Sequence, residues 1–332
     1  MKTTQIYTTE DTSRAQLQAA EEGMQRFRSA GFGLSMHWGL YSLSMNDSEW
    51  VYFNQRIPYE VYRPRMERFN PVRFNAEEWA DLMVESGQKF LTITTKHHDG
   101  FCLWDTAFTD FKVTNTPFKR DILAELAPAL RERGIGLHFY YSLLDWTHPA
   151  YRKDWPAYVA YYQNQLRELC THYGEISGFL FDGYWPRTLF EGDEVEYFPP
   201  RGSWDLAGAY DLIHRLQPNA VITNNAHIPP LKGEDYQVWE LDLPGENKMW
   251  FNCTEVGDKP TATWWNLNMG WSYQPWNHAV KSAAEILKIY RAVKARDAVF
   301  ALNVGPRPFG DIHPDEQRVL REIGQAIREY RM

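Results

Sequence analysis

The sequence predicts an α/β protein folded as a single-domain (β/α)8 TIM-like barrel, with some of its helices short or missing. Three observations carry that reading. Strand-like apolar runs and helix-like amphipathic stretches alternate along most of the 332 residues, the pattern of a parallel sheet with helices packed on it. The alternation repeats about eight times, the number that closes a barrel. No Pro/Ser/Gly-rich linker divides the chain, and no G-x-G-x-x-G follows the first strand. An open dinucleotide-binding sheet therefore lacks its main sign.

An amphipathic stretch over 12–30, with Leu17, Ala20, Met24 and Phe27 on one face, predicts a helix that lids one end of the domain, making residues 1–30 a helical extension. Residues 31–36 read as a first strand ending in His37-Trp38-Gly39, and a long aromatic loop passes through Glu49 and Trp50. Asn75 opens a helix over 77–86 with Glu78 at the capping-box position. Gly87 closes it, and 90–94 is a β-branched second strand running into His97-His98-Asp99. A helix over 121–133, a strand over 135–141 and a helix over 155–173 lead to Gly178-Phe179-Leu180-Phe181-Asp182. That apolar run suits a strand buried on both faces. Its acidic end is followed by Gly183, Tyr184 and Trp185, aromatics able to wall a small pocket. A helix over 205–216 precedes a strand over 220–223 and Asn224-Asn225. Residues 237–240 form a sixth strand, and 264–273 a weaker, loop-like seventh. A helix over 283–295, a last strand over 299–303 and a closing helix over 315–331 finish the chain.

Composition excludes several classes. The formal net charge is -8, with no basic run, which argues against a nucleic-acid surface. No apolar stretch approaches the ~20 residues of a membrane span. Cys102, Cys170 and Cys253 are odd in number and widely spaced, with no metal-ligand pattern. With no signal peptide visible in the charged first thirty residues, the expected location is the cytoplasm. Asn46-Asp47-Ser48 and Asn252-Cys253-Thr254 match glycosylation acceptors, which carry no weight without an export signal. The 14 Trp and 19 Tyr suit a sugar-binding surface as well as a core. Aromatic loops are equally compatible with a homo-oligomer interface.

In a barrel the C-terminal strand tips share one rim. Here they are His37-Trp38, His97-His98-Asp99, Tyr140-Tyr141, Asp182, Asn224-Asn225, Glu240 and Asn303. One such residue alone is readily a structural histidine or a turn cap. Together they make a polar, lysine-poor rim matched to hydroxyl groups. Metal ligands on a strand want alternate positions. His97 and His98 are adjacent and should diverge unless the chain turns between them, so no metal site is expected. A nucleophile elbow, G-x-S-x-G, is absent. A carboxylate nucleophile at Asp182, ringed by hydroxyl-binding groups, leaves glycoside hydrolysis as the best class. The alternative is a non-catalytic carbohydrate-binding barrel.

Several stretches, in this order, resemble the α-L-fucosidases of glycoside hydrolase family 29. They are Phe32-Gly33-Leu34-Ser35-Met36-His37-Trp38-Gly39-Leu40-Tyr41-Ser42, Glu49-Trp50, Phe69-Asn70-Pro71 with Trp79, and Thr94-Thr95-Lys96-His97-His98-Asp99-Gly100-Phe101. Tyr140-Tyr141-Ser142, Asp145-Trp146, Phe181-Asp182-Gly183 and Leu302-Asn303-Val304-Gly305-Pro306 continue the match. The resemblance implies a retaining exo-fucosidase that needs no cofactor, acts on a fucosylated oligosaccharide or glycoconjugate, and is capable in principle of transfer to acceptors. It implies a barrel-only member, 1–332, without the C-terminal β-sandwich of many relatives. Asp182 matches the nucleophile that forms the fucosyl-enzyme. His37, Glu49, Trp50, His97, His98 and Tyr140 match positions that hold the sugar, Trp271 matches an aromatic near the pocket, and Asn225 joins them from the predicted rim.

One departure stands out. Family members often carry the general acid/base as a glutamate nine residues before the tryptophan matched by Trp271. That position here is Ala262, and alanine moves no proton. Either the acid/base is another carboxylate, with Glu255 and Glu240 ahead of Asp242 and Glu246, or Ala262 marks a glutamate-to-alanine variant.

Overall fold

The computed structural model describes residues 10–184 and 202–330. Trp185, residues 1–9 of the expected extension and the last residue of the expected closing helix lie outside this range. Eight parallel strands form the barrel: β1 (Phe32–Met36), β2 (Phe90–Lys96), β3 (Gly136–Ser142), β4 (Gly178–Asp182), β5 (Val221–Asn224), β6 (Gln237–Glu240), β7 (Thr261–Asn266) and β8 (Val299–Val304). The sheet order is β5-β4-β3-β2-β1-β8-β7-β6. The remaining seam, β5 to β6, is stitched at the entry to β6. Asp235 N donates to Ile222 O at 2.7 Å, Asp235 Oδ2 accepts from Ile222 N at 2.8 Å, and Thr223 Oγ1 donates to Tyr236 O at 2.8 Å. No helix separates β5 from β6 or β6 from β7.

Elsewhere helices alternate with strands and begin where side chains can take up free backbone amides. Asn75 accepts from the amides of Glu77 and Glu78 ahead of helix Ala76–Ser86, and Gly87 ends it at φ 80°, a conformation that costs glycine little. Ser282 and Glu285 form a full capping box before helix Ala283–Lys294. Among the described residues no helix is long and apolar enough to cross a membrane.

Side chains point alternately into and out of the barrel. Outward Phe139, Phe179, Phe181 and Tyr141 are buried beneath the helices. The interior is a separate apolar column that includes Tyr140, Leu180, Val238, Ala262, Trp264 and Ala301. Because polar residues follow two positions after Leu180, Val238 and Ala301, each inward row ends in a polar tip. Register then aligns the tips: Ser142 pairs with Asp182, and Asn303 with Ser35 and Asn266.

Two expectations need correction. The continuous helix over 12–30 is broken into α1 (Glu10–Ser13) and α2 (Glu21–Ala30). Between them, Asp211 captures the amides of Gln16 and Leu17, each at 2.9 Å, and Asp235 takes that of Ala19 at 2.9 Å. These distant carboxylates satisfy donors that a helix would have used. The second half does lid the barrel: Phe27 plugs the N-terminal mouth, with its ring 4.3 Å from that of Tyr236. The seventh strand lies earlier than expected, at Thr261–Asn266, and residues 267–273 belong to the loop after it.

Candidate active site

The ends of β1 to β6 deliver polar groups to one cavity of about 100 Å³ at the C-terminal mouth. It is lined by ten of the residues singled out in the sequence: His37, Glu49, Trp50, His97, His98, Tyr140, Asp182, Asn225, Glu240 and Trp271. Leu180, Val238 and Trp264 complete the walls. Sequence reasoning missed these three, although each lies two residues before a polar strand end and shares its face.

Ala262 and Glu255 are not part of the cavity. Ala262 is fully buried in the interior column, one inward position below Trp264 and paired with Val238 and Val299. The shift of β7 puts it in the barrel wall beneath the cavity, so it does not occupy an acid/base position at the rim. Glu255 is exposed on the loop after β6, where its amide is tied to Cys253 Sγ. Asp242, buried, accepts from Met249 N and Asn252 Nδ2 at 2.9 Å each. Glu246 is ion-paired with Lys248 and Arg296.

Asp182 ends β4 buried, with donors on both oxygens. Tyr140 Oη donates to Oδ2 at 2.5 Å, Gly183 N to Oδ1 at 2.9 Å, and Asn225 Nδ2 to Oδ1 at 3.4 Å. Burial raises its pKa to about 7, and the charge of Glu240 adds to the rise while the three hydrogen bonds oppose it. Glu240 ends β6 and accepts from Asn225 Nδ2 at 2.9 Å and Trp271 Nε1 at 3.1 Å. Burial raises its pKa as well. One amide nitrogen thus faces both carboxyl groups. The facing oxygens, Asp182 Oδ1 and Glu240 Oε2, therefore lie across a single amide nitrogen.

The histidines are neutral acceptors. Burial lowers His37 to about 4 and His97 and His98 well below their ordinary value. Ser142 gives its one hydroxyl proton to Leu144 O at 2.8 Å, so His98 Nδ1, 2.6 Å away, carries a proton and donates to it. Nε2 of His98 then turns its lone pair toward the cavity, 3.7 Å from Asp182 Oδ2. Asn303 acts similarly on His37: its amide donates to Trp271 O at 2.6 Å, leaving its carbonyl to accept from His37 Nδ1 at 2.8 Å. His97 and His98 do not diverge. The chain turns directly after Lys96, and their rings sit 4.1 Å apart.

Glu49 accepts from Ser272 N at 3.2 Å and Ser272 Oγ at 2.8 Å. Trp50 packs on His98 at 5.2 Å, and Trp271 on His37 at 5.2 Å. Behind the cavity, Lys96 and Asp145 form a buried pair at 3.1 Å, and the lysine lies 4.6 Å over the Tyr141 ring. Asp99 faces away, accepting from Tyr62 Oη at 2.6 Å.

A larger cleft of about 510 Å³ opens at the opposite mouth, beside α2. Its one carboxylate, Glu175, is paired with Arg26 at 2.6 Å, so it lacks two facing acids. Adjacent carboxyl groups among neutral imidazoles, a phenol and indoles define the C-terminal mouth as a glycoside-hydrolase type of site on a (β/α)8 barrel. Comparison narrows the class. The family described as alpha-L-fucosidase matches residues 1–331. Alpha-L-fucosidase 1 of Arabidopsis thaliana is 32% identical over 87% of this chain, and the chain spans 58% of that relative's length. The structure of alpha-L-fucosidase isoenzyme 1 from Paenibacillus thiaminolyticus superposes with a TM-score of 0.79 at 32% identity, covering 93% of this chain and 76% of that one. A family 29 α-L-fucosidase from Bacteroides thetaiotaomicron, trapped as a covalent intermediate with 2-fluoro-fucosyl fluoride in a glutamate-to-glutamine mutant, superposes at 0.82 with 27% identity, covering 98% of this chain and 78% of that one. The chain belongs to the α-L-fucosidase family, glycoside hydrolase family 29.

Proposed function

We propose that the chain is a retaining exo-α-L-fucosidase that releases terminal α-L-fucosyl groups from fucosylated oligosaccharides or glycoconjugates. The observation that carries this reading is the shared Asn225 nitrogen, which joins Asp182 and Glu240 into one facing pair of carboxyl groups. The covalent intermediate of the Bacteroides relative supports the same chemistry.

In this reading Asp182 is the ionised member and Glu240 holds the proton. The three hydrogen bonds to Asp182, against two to Glu240, favour that state, while burial and the charge of Glu240 oppose it by raising Asp182. An Asp182 oxygen attacks the anomeric carbon as the bond to the glycosidic oxygen breaks, and Glu240 passes its proton to that departing oxygen. A water molecule then attacks the same carbon, Glu240 takes its proton, and the carboxylate of Asp182 leaves with the electron pair of the ester bond. An acceptor hydroxyl in place of water would give transfucosylation by the same second step. His37 and His98 offer lone pairs to sugar hydroxyls, and Trp50 and Trp271 provide apolar faces for the deoxy methyl group.

Incubation with 2-fluoro-fucosyl fluoride and mapping of the labelled peptide tests the assignment. The label should fall on the peptide containing Asp182, and Asp182→Asn should remain folded without turning over an aryl α-L-fucoside. A label on any other peptide, or native-like turnover in the variant, overturns it.

A further inference from the structure

Two loops leaving the barrel at β7 and β8 bring together a cluster that the fucosidase reading does not use. His278 lies in the segment 267–282 after β7, and His313 and Asp315 flank the start of helix Pro314–Tyr330. The rings of His278 and His313 are 4.0 Å apart. Each of the three residues offers a ligand atom, and these atoms all lie within 4.8 Å of one another. Both ring nitrogens of His278 are shielded from solvent, and neither has a hydrogen-bond partner among the described residues. Two shielded, unpartnered ring nitrogens lose their hydration without compensation, a cost that ligation of one of them would relieve.

We propose that His278, His313 and Asp315 form a binding site for a divalent cation of the zinc class. Two imidazoles and one carboxylate suit a borderline-soft ion rather than Mg²⁺ or Ca²⁺, which favour all-oxygen sites. On neutral His313 the lone pair lies on Nδ1, 3.6 Å from Asp315 Oδ2; it accepts from Asp315 N at 3.2 Å, a contact that ligation would replace. The nearby Arg307 is ion-paired with Asp311, so its charge is largely balanced.

The placement has a consequence for the catalytic mouth. Segment 267–282 also carries Trp271, which donates to Glu240, and Ser272, which holds Glu49. The segment already packs tightly on the end of β8, where a Cβ on Gly305 would stand 2.3 Å from Tyr273 N. A cation joining His278 to the foot of the closing helix would clip this segment to the scaffold at a second point.

Calorimetric titration of chelator-stripped protein with ZnCl2 tests the site. One site should appear in the native chain and weaken at least about tenfold in His278→Ala and in His313→Ala. Zinc should raise the melting temperature of the native chain and leave that of the two variants unchanged, while all three keep the same circular dichroism without metal. The imidazoles of the cavity (His37, His97 and His98) are the competing location. A tight site that survives both substitutions would place the cation there and overturn the proposal, as would the absence of binding to the native chain.

Discussion

A single nitrogen, Nδ2 of Asn225, lies between the two acids, and their titrations are therefore coupled. The protonated-Glu240, ionised-Asp182 state exists only between the two apparent pKa values of the pair, so kcat/KM should trace a bell against pH. In Glu240→Gln, assayed with an aryl fucoside whose leaving group needs no proton, the alkaline limb should vanish. The acidic limb should stay or move to lower pH, because the effect of an ionised Glu240 on Asp182 is to raise it. On substrates with poor leaving groups the same variant should lose about 10²–10⁴-fold in rate. A persisting alkaline limb would remove Glu240 from the acid/base role. Ala262→Glu offers the complementary check. The new carboxylate would enter the apolar column next to Val238 and Val299, where an uncompensated charge is costly. It should lower the melting temperature and leave turnover no higher; a gain in activity would show that position 262 reaches the glycosidic oxygen after all.

At the scale of elements, the sequence was most legible where one local signal agreed with the tertiary outcome. β4 is the clearest case, an apolar run closed by Asp182 that is buried on both faces as expected. The strand tips were legible because period-two alternation projects Asp182, Glu240 and Asn303 onto one rim. It failed where long-range contacts override local propensity. Amphipathic 12–30 looked continuous, yet carboxylates about two hundred positions away interrupt it. β7 was misplaced because Trp264 and Trp265 resemble the aromatic loop that follows them, Trp271 and Tyr273 included. Ser142, Ser272 and Asn303 orient His98, Glu49 and His37, and no sequence spacing shows those pairings. The α2 plug carries its own prediction. Phe27 packs against Phe90, His138 and Tyr236 inside the mouth, and Gly23 lets the helix approach so closely that a Cβ would sit 2.0 Å from Asn219 O. Phe27→Ala should cost about 3–5 kcal/mol in urea unfolding with little change in KM, since the cavity lies at the opposite end. A large KM change with unaltered stability would contradict the plug.

Across the whole molecule, burial moves two sets of groups in opposite directions. Asp99 and Asp182 are raised to about 7, and Glu234 and Glu316 to about 8. Their unfolded values are ~4. Over the interval between, the native state binds more protons than the unfolded chain, so these acids make stability fall as pH rises. His37 and His227 are lowered to about 4 and His138 to about 3, against ~6.5 unfolded. Below ~6.5 the unfolded chain binds the extra protons, so the histidines make stability rise with pH. The two trends offset one another up to about pH 6.5; beyond it the acids still differ between states, joined toward pH 8 by the thiols of Cys102 and Cys170, which burial raises and which act in the same direction. Stability should therefore decline from about pH 6.5 to pH 8. Glu316 isolates one contributor, because it lies outside the cavity and accepts from Asn268 Nδ2 at 2.6 Å through one oxygen alone. Glu316→Gln keeps the shape without the ionisation and should reduce the alkaline decline, on the order of 1–2 kcal/mol over that interval. Urea midpoints of both chains at the two pH values decide the matter: a native chain that gains stability toward pH 8, or a variant that declines as steeply as the native, would mean that burial of these acids does not govern the alkaline side.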